Sequence, residues 1–437
     1  MEPVNINKVL PGEMLEQIFH LLTPDELKAA VMVCKRWAEV GQAPILWTWA
    51  SITIGESDLG SIVEVLSSRK LSAVRRLRVT SPLSEETAIQ AIVKHPGLKK
   101  VHLKVESSIQ GSGGRPRLLA QLLGKLEELE LVWPIFTLQE SKAMCAGLKR
   151  NKKLNTFCLK KNNLTSVSPN LLSRALIHLQ KLDLDEVELT REQMTATFEL
   201  LLTSAQLKKL RIRKVDLSFV EPSLMSHLVS KLEEVTFEAI GLTSDQGRAI
   251  FEKLNETEVL RKLDLNGNSL SQVNADLLSK VVAKLEVANL SNTSLNPRQT
   301  VALCYELVYG SSKLTTLLLN DNNLSVVNRL VLARAVSQIE EVGLRSTSIS
   351  TSQAEAVFAA SVRPNDEKSK EFNREDLDLA MLQVDIYASW HKKPRRLRRL
   401  DMRDNDLSSV DQRFLARAIK SLDWVHFEGT SMMKGLL

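Results

Sequence analysis

The groups that could do covalent or metal chemistry are few, and their spacing is wrong for it. The chain of 437 residues holds four cysteines and seven histidines. Cys34, Cys145, Cys158 and Cys304 lie far apart, without the CxxC spacing of a zinc site or redox pair. They read as buried free thiols of a reducing compartment. No two histidines have ligand spacing, and HExxH, a Walker loop and GxSxG are all absent. No cofactor, no metal and no catalysis by this chain itself are therefore expected. The 58 basic and 52 acidic residues leave a net charge of +6, too mild to imply nucleic acid. No apolar run approaches the length that crosses a bilayer. Glu13 and Glu16 interrupt the N-terminus where a signal peptide needs an apolar core. A cytoplasmic or nuclear location is expected.

The remaining chemistry is that of surfaces, and the elements that would present them are periodic. About one residue in six is Leu, while aromatic residues make up 5%, which suits one array of similar packing layers better than several separate cores. The pattern L-x-x-L-x-L, with conservative replacements, occurs in fourteen copies from Trp49-Ile52-Ile54 to Leu422-Val425-Phe427. From Leu126 the copies start alternately 28 and 25 residues apart, so the full period is about 53. The last two apolar positions of each copy alternate as in a half-buried strand. The shorter unit adds an Asn and a Leu: Asn162/Leu164, Asn268/Leu270, Asn322/Leu324 and Asn405/Leu407, with Val215 replacing the Asn of one copy. These Asn residues read as structural, satisfying backbone groups in the turn. The longer unit opens its helix with a capping box: Thr137/Glu140, Thr190/Gln193, Thr243/Gln246, Asn296/Gln299 and Ser350/Gln353.

Strand, turn and returning helix in this order resemble the long leucine-rich repeats of the ribonuclease-inhibitor type, over residues 49–437. The implied fold is α/β, a horseshoe-shaped solenoid with a parallel inner sheet and outer helices. Two places break the rhythm. Ser107–Pro116 is rich in Gly and Ser and reads as a surface loop. Between Ile339 and Leu397 the spacing is 58 where 28 is expected, an inserted loop near 364–396. An acidic stretch there precedes LDLAMLQVDIYASW and the basic run HKKPRRLRR. The insertion reads either as a solvated excursion with one amphipathic helix or as a partner-contacting element, and KKPRR fits a nuclear-import pattern.

Residues 4–48 fall outside the repeat. Leu15, Ile18, Phe19 and Leu22 share one helical face, and Thr23 or Asp25 can cap a second helix carrying Leu27, Ala30, Val31, Cys34 and Trp37. So short a segment buries too little to stand alone. Its apolar faces must dock on the repeats or on a partner. The run Leu10-Pro11, Glu13, Met14-Leu15, Ile18-Phe19, Leu27, Val33-Cys34-Lys35-Arg36-Trp37 and Pro44-Ile45-Leu46-Trp47 resembles the F-box, a small all-α module. That resemblance implies binding to the Skp-type adaptor of cullin–RING ubiquitin ligases. It places Leu10, Pro11, Leu15, Ile18, Phe19 and Leu27 against the adaptor, with Val33, Cys34 and Trp37 assisting. Some of these must instead form the module's own core. The whole chain then reads as a non-catalytic substrate receptor, or as an adaptor-bound scaffold without ubiquitylation. A ribonuclease-inhibitor-like or GTPase-activating solenoid is the reading the F-box argues against.

Within each strand the residues between the apolar positions face the concave wall. Basic rows (Arg76/Arg78, Lys100/His102/Lys104, Lys209/Arg211/Arg213) alternate with acidic ones (Glu128/Glu130, Glu234/Glu238), as a charge ladder would. From Leu285 the charge thins out, and Gly343 is expected to open space beside the wall. The substrate face is therefore sought at 287–428, in Val287, Asn289, Thr316, Leu318, Arg345, Arg403, Trp424 and His426, where an uncharged patch meets Arg and Trp.

Overall fold

The computed structural model describes residues 10–22, 24–47, 51–55, 62–68, 71–80, 86–104, 115–132, 136–361 and 397–427. The expectations for Thr23 as a cap and for the insertion near 364–396 lie outside the described residues. Chain contacts separate two compact units, 1–200 with 204–207, and 208–437 with 201–203.

The first unit opens with three short helices, α1 (Gly12–Phe19), α2 (Pro24–Val31) and α3 (Lys35–Val40), and a 3-10 turn at Pro44–Trp47. Strands and helices then alternate: β1 (Ser51–Ile54), α4 (Ile62–Ser67), β2 (Arg76–Val79), α5 (Glu86–Lys94), β3 (Lys100–Lys104), α6 (Arg115–Lys125), β4 (Glu128–Val132), α7 (Leu138–Arg150), β5 (Thr156–Asn163), α8 (Pro169–Leu176) and β6 (Lys181–Glu188), followed by α9 (Arg191–Thr203). Each strand from β1 to β6 pairs in parallel with the next. Of the expected loop Ser107–Pro116, residues 107–114 lie outside the described residues. Arg115 and Pro116 belong to the first turn of α6, where a proline's missing N–H leaves no bond unmade, and Arg115 is buried.

The second unit repeats the scheme through β7 (Lys209–Arg213), α10 (Pro222–Ser230), β8 (Glu234–Glu238), α11 (Ser244–Asn255), β9 (Lys262–Asp264), α12 (Ala275–Lys284), β10 (Val287–Asn289) and α13 (Pro297–Tyr309). It continues with β11 (Thr316–Leu318), α14 (Arg329–Ser337), β12 (Glu341–Gly343), α15 (Thr351–Ser361), β13 (Arg399–Asp401), α16 (Gln412–Ser421) and β14 (Trp424–His426). Strands β7 to β14 are again parallel in sequence order. This is the α/β leucine-rich-repeat architecture that the periodicity predicts. Leu260, Leu263 and Leu265 show what one pattern copy does: all three are buried, and their layer is stacked on the next.

Parallel stacking leaves polar groups inside each turn, and the repeat satisfies them with side chains. Asn268 accepts from the amides of Ile240 (3.1 Å) and Leu242 (3.2 Å) and donates to the carbonyls of Phe237 (2.6 Å) and Leu265 (3.0 Å). It thereby bolts its own turn to the preceding repeat. Asn322 and Asn405 make the equivalent bonds. The residue before each of the five equivalent positions, Asn162, Val215, Asn268, Asn322 and Asn405, is left-handed: Lys161, Lys214, Gly267, Asp321 and Asp404. Only Gly267 takes that conformation without the Cβ penalty.

All five capping boxes form. Four of them do more than cap. The Gln246 amide donates to the carbonyls of Leu217 (2.8 Å) and Val220 (2.6 Å) one repeat earlier, and Gln193, Gln299 and Gln353 do likewise. The Glu140 side chain has no N–H to offer. In its repeat the buried Arg115 pairs with it at 2.7 Å.

Candidate protein-interaction surfaces

The front helices are too short to enclose a core by themselves, and they use the first repeats as a floor. Leu15 and Phe19 of α1, Leu27 and Ala30 of α2, and Leu46 and Trp47 of the 3-10 turn bury against Val74, with Ile52 and Leu71 at the margin. Trp37 packs edge-on against Phe19, ring centroids 5.3 Å apart, and the Trp47 indole donates to the Gly41 carbonyl at 2.8 Å. Gly41 is required by packing, since a Cβ there would fall 2.1 Å from Val31 Cγ1. The Arg36 guanidinium donates to the Leu10 carbonyl, which fixes the start of α1. Cys34 is half-buried and precedes α3 without a side-chain cap bond.

One face goes to the repeats and another stays open. Leu21 and Met32 are each 84% exposed and Val33 60%, with Met14, Ile18 and Ile45 about half exposed. Pro11 is exposed at the head of α1. So many large apolar side chains left in water on so short a segment mark an interaction surface.

A family model fixes what this module is. Residues 8–53 are an F-box-like domain. A leucine-rich-repeat protein of Leptospira interrogans with a solved structure aligns over 87% of this chain and 89% of its own, at 14% identity and a TM-score of 0.39. No curated protein matches the chain. F-box-like domains and leucine-rich repeats are both protein-interaction modules.

The nine motif residues of the F-box-like domain separate by environment. Leu15, Phe19 and Leu27 are buried in its own core, Leu10, Cys34 and Trp37 are half-buried, and Pro11, Ile18 and Val33 face solvent. Met14, Leu21 and Met32 join the exposed set. Met14 stands inside the motif, while Leu21 and Met32 carry no motif signal.

On the repeats, charge pairing between neighbouring strands is extensive. In the first unit Lys100 meets Glu128, and Glu130 accepts from His102 Nδ1 (2.8 Å) and from Lys160. The His102 hydrogen bond and the Lys160 ammonium hold the Glu130 carboxyl down at about 2. In the second unit Glu234 takes both Lys209 (2.9 Å) and Lys262 (3.3 Å). Burial disfavours the thiolate at the three deep cysteines: it pushes Cys145 and Cys304 up to about 12, and Cys158 higher still.

Six of the eight residues sought as a substrate face form two rows in register, and Arg345 and Arg403 lie just past the ends of β12 and β13. Val287, Thr316 and Trp424 lie in one, with Glu341 and Arg399 between them; Asn289, Leu318 and His426 lie in the other, with Gly343 and Asp401. Three features of that reading are corrected. Gly343 opens no space, because a Cβ there would meet Leu318 Cδ2 at 2.9 Å and the Asn320 amide oxygen at 2.8 Å. Arg403 is clasped by Asp401 at 2.7 Å, and Arg345 by Asp404 at 3.0 Å, so neither flanks the patch as an open charge. The patch is also not neutral, since Glu341 and Arg399 sit within it. Trp424 does stand out, 45% exposed and edge-on to His426.

A groove of about 600 Å³ opens beside Trp424. Its walls are Thr316, Glu341, Arg399 and Trp424 from the strands, and Thr315, Glu340, Arg398 and Asp423 from the positions just before them. Those preceding positions are the first x of L-x-x-L-x-L, ahead of the strand and outside the alternating residues read as the concave wall. Their regular phase, one residue ahead of each strand, is the signal that finds them.

Among the described residues no cluster of His, Cys, Asp and Glu could hold a metal ion, and no helix is long and apolar enough to cross a membrane.

Proposed function

We propose that this chain is the substrate-recognition subunit of a Skp–cullin–F-box ubiquitin ligase, working in the cytoplasm or nucleus. The observation that carries the reading is the coincidence of an F-box-like domain with a solvent-facing apolar set, Met14, Ile18, Leu21, Met32 and Val33. Pro11, Ile18 and Val33 touch the Skp-type adaptor. Leu15, Phe19, Leu27 and Trp37 act one step back, by holding α1 to α3 at the angle that presents those side chains. Leu10 and Cys34 sit at the edge between the two groups. Catalysis belongs to the cullin–RING subunits. The receptor supplies proximity, raising the local concentration of substrate lysines near the charged ubiquitin carrier. The substrate lies on β10 to β14, across the Trp424 groove.

Affinity purification tests both halves. Ile18→Asp/Val33→Asp, which alters exposed positions, should keep the fold and lose adaptor and cullin together. Trp424→Ala should keep both and lose substrate. Retention of adaptor by the double variant overturns the interface. Recovery of adaptor without cullin by the unaltered chain replaces the ligase with a scaffold.

A further inference from the structure

The charge ladder has a conspicuous gap at its front. Downstream, several cations on the strand faces meet carboxylates: Lys100 with Glu128, Lys160 with Glu130, Lys209 and Lys262 with Glu234. On β2 and the end of β3 this fails. Arg76, Arg78 and Lys104 are exposed and, among the described residues, make no ion pair. Their neighbours deepen the imbalance. Arg76 stands directly across from Lys100, and Arg78 from His102. On the other side β1 offers only Ser51 and Thr53. Lys100 and His102 are already committed to Glu128 and Glu130 on β4, so the ladder closes without β2. Like charges directly opposite one another destabilise a sheet. The arrangement thus works against the fold and, among the described residues, has no counter-charge.

We propose that Arg76, Arg78 and Lys104 form a docking surface for an acidic segment of a protein partner, one rich in Asp and Glu. At a rise of about 3.3 Å per residue, the three cations span roughly 13 Å along the strand direction. That spread matches several carboxylates along an extended peptide better than a single compact anion. A nucleic acid fits less well, because a continuous phosphate backbone crossing the strands would meet Glu128 and Glu130 on β4, and no exposed aromatic side chain of β2 or β3 is there to stack a base. The surface lies on strands other than those assigned to the substrate, and it stands whether or not the adaptor is captured.

Fluorescence anisotropy of the full chain against a labelled oligoglutamate of about ten residues tests this. Binding should weaken steeply with salt, as contacts between exposed charges do. Arg76→Glu/Arg78→Glu should weaken it at least tenfold. Arg248→Glu/Lys280→Glu, an equal charge change at exposed positions of α11 and α12, should weaken it less than about threefold. Equal losses in the two variants, or no loss in either, overturn the proposal. So does tighter binding of a single-stranded oligonucleotide of the same charge. Arg76→Gln/Arg78→Gln supplies the independent check: it should melt at or above the parent, because it removes repulsion. A clear fall in melting temperature would assign these arginines to the fold instead.

Discussion

The front module and the repeats solve opposite problems with similar residues. In the repeats every layer rests on another, so Leu263, Leu290 and Leu317 are all buried and the surface is left to polar and charged groups. In the F-box-like domain four short elements of apolar sequence must serve two faces, one against Val74 and one left in solvent. The lesson is that a leucine in an L-x-x-L-x-L slot of the repeats reports the core, while an apolar residue in the module reports either core or interface.

The sharpest test of that contrast is a pair of substitutions within the same helix. Phe19→Ala should destabilise the first unit by about 3–5 kcal/mol, whereas Ile18→Ala, one residue away, should stay within about 0.5 kcal/mol. Thermal unfolding measures both, and similar losses would erase the distinction between core and open face. An effect of about the same size is expected where the repeats bury charge. Arg115→Ala leaves the Glu140 carboxylate buried without its partner, at a cost of about 3–5 kcal/mol. Arg115→Ala/Glu140→Gln should recover most of this, because a glutamine can donate to the preceding repeat as Gln246 does. Failure of that rescue would detach the ion pair from the amide device of the other repeats.

Next in size is the asparagine bolt. Asn268→Ala leaves the buried Ile240 and Leu242 amides without the Asn268 oxygen that accepts them, and should cost about 2–3 kcal/mol. Hydrogen exchange should quicken at Ile240 and Leu242 first. A smaller effect, about 1 kcal/mol, is expected of Gly267→Ala, which forces a Cβ onto a residue at φ 72°.

The pH response is expected to be the mildest. Glu130 is held well below its ordinary 4.5, at about 2, so its contribution is complete above about pH 4.5 and is lost as pH falls toward 2. Denaturant midpoints of the parent and Glu130→Gln should be furthest apart near neutral pH and converge through that acid window. A constant separation would remove Glu130 from the ladder's linkage.

The asparagines, capping boxes and strand slots were legible because each is a local pattern repeated in phase, and Asn268, Asn322 and Asn405 read alike in the sequence and in the fold. The F-box-like motif was legible for the same reason: residue type and spacing. The rear face was legible only in part. Trp424 was visible as an exposed aromatic, but the pairing of Arg403 with Asp401 and of Arg345 with Asp404 joins residues that the L-x-x-L-x-L slots do not relate.

The sequence by itself determined the layers: which residues pair as strands, where helices begin, and which amides must be bridged. Those follow from short-range periodicity and hydrogen-bond need. Tertiary structure decided the faces. Whether Phe19 or Ile18 meets solvent, whether Gly343 is a gap or a filled contact, and whether Arg76 finds a carboxylate all depend on what the neighbouring layer contributes, and that neighbour stands about 25 residues away in the chain.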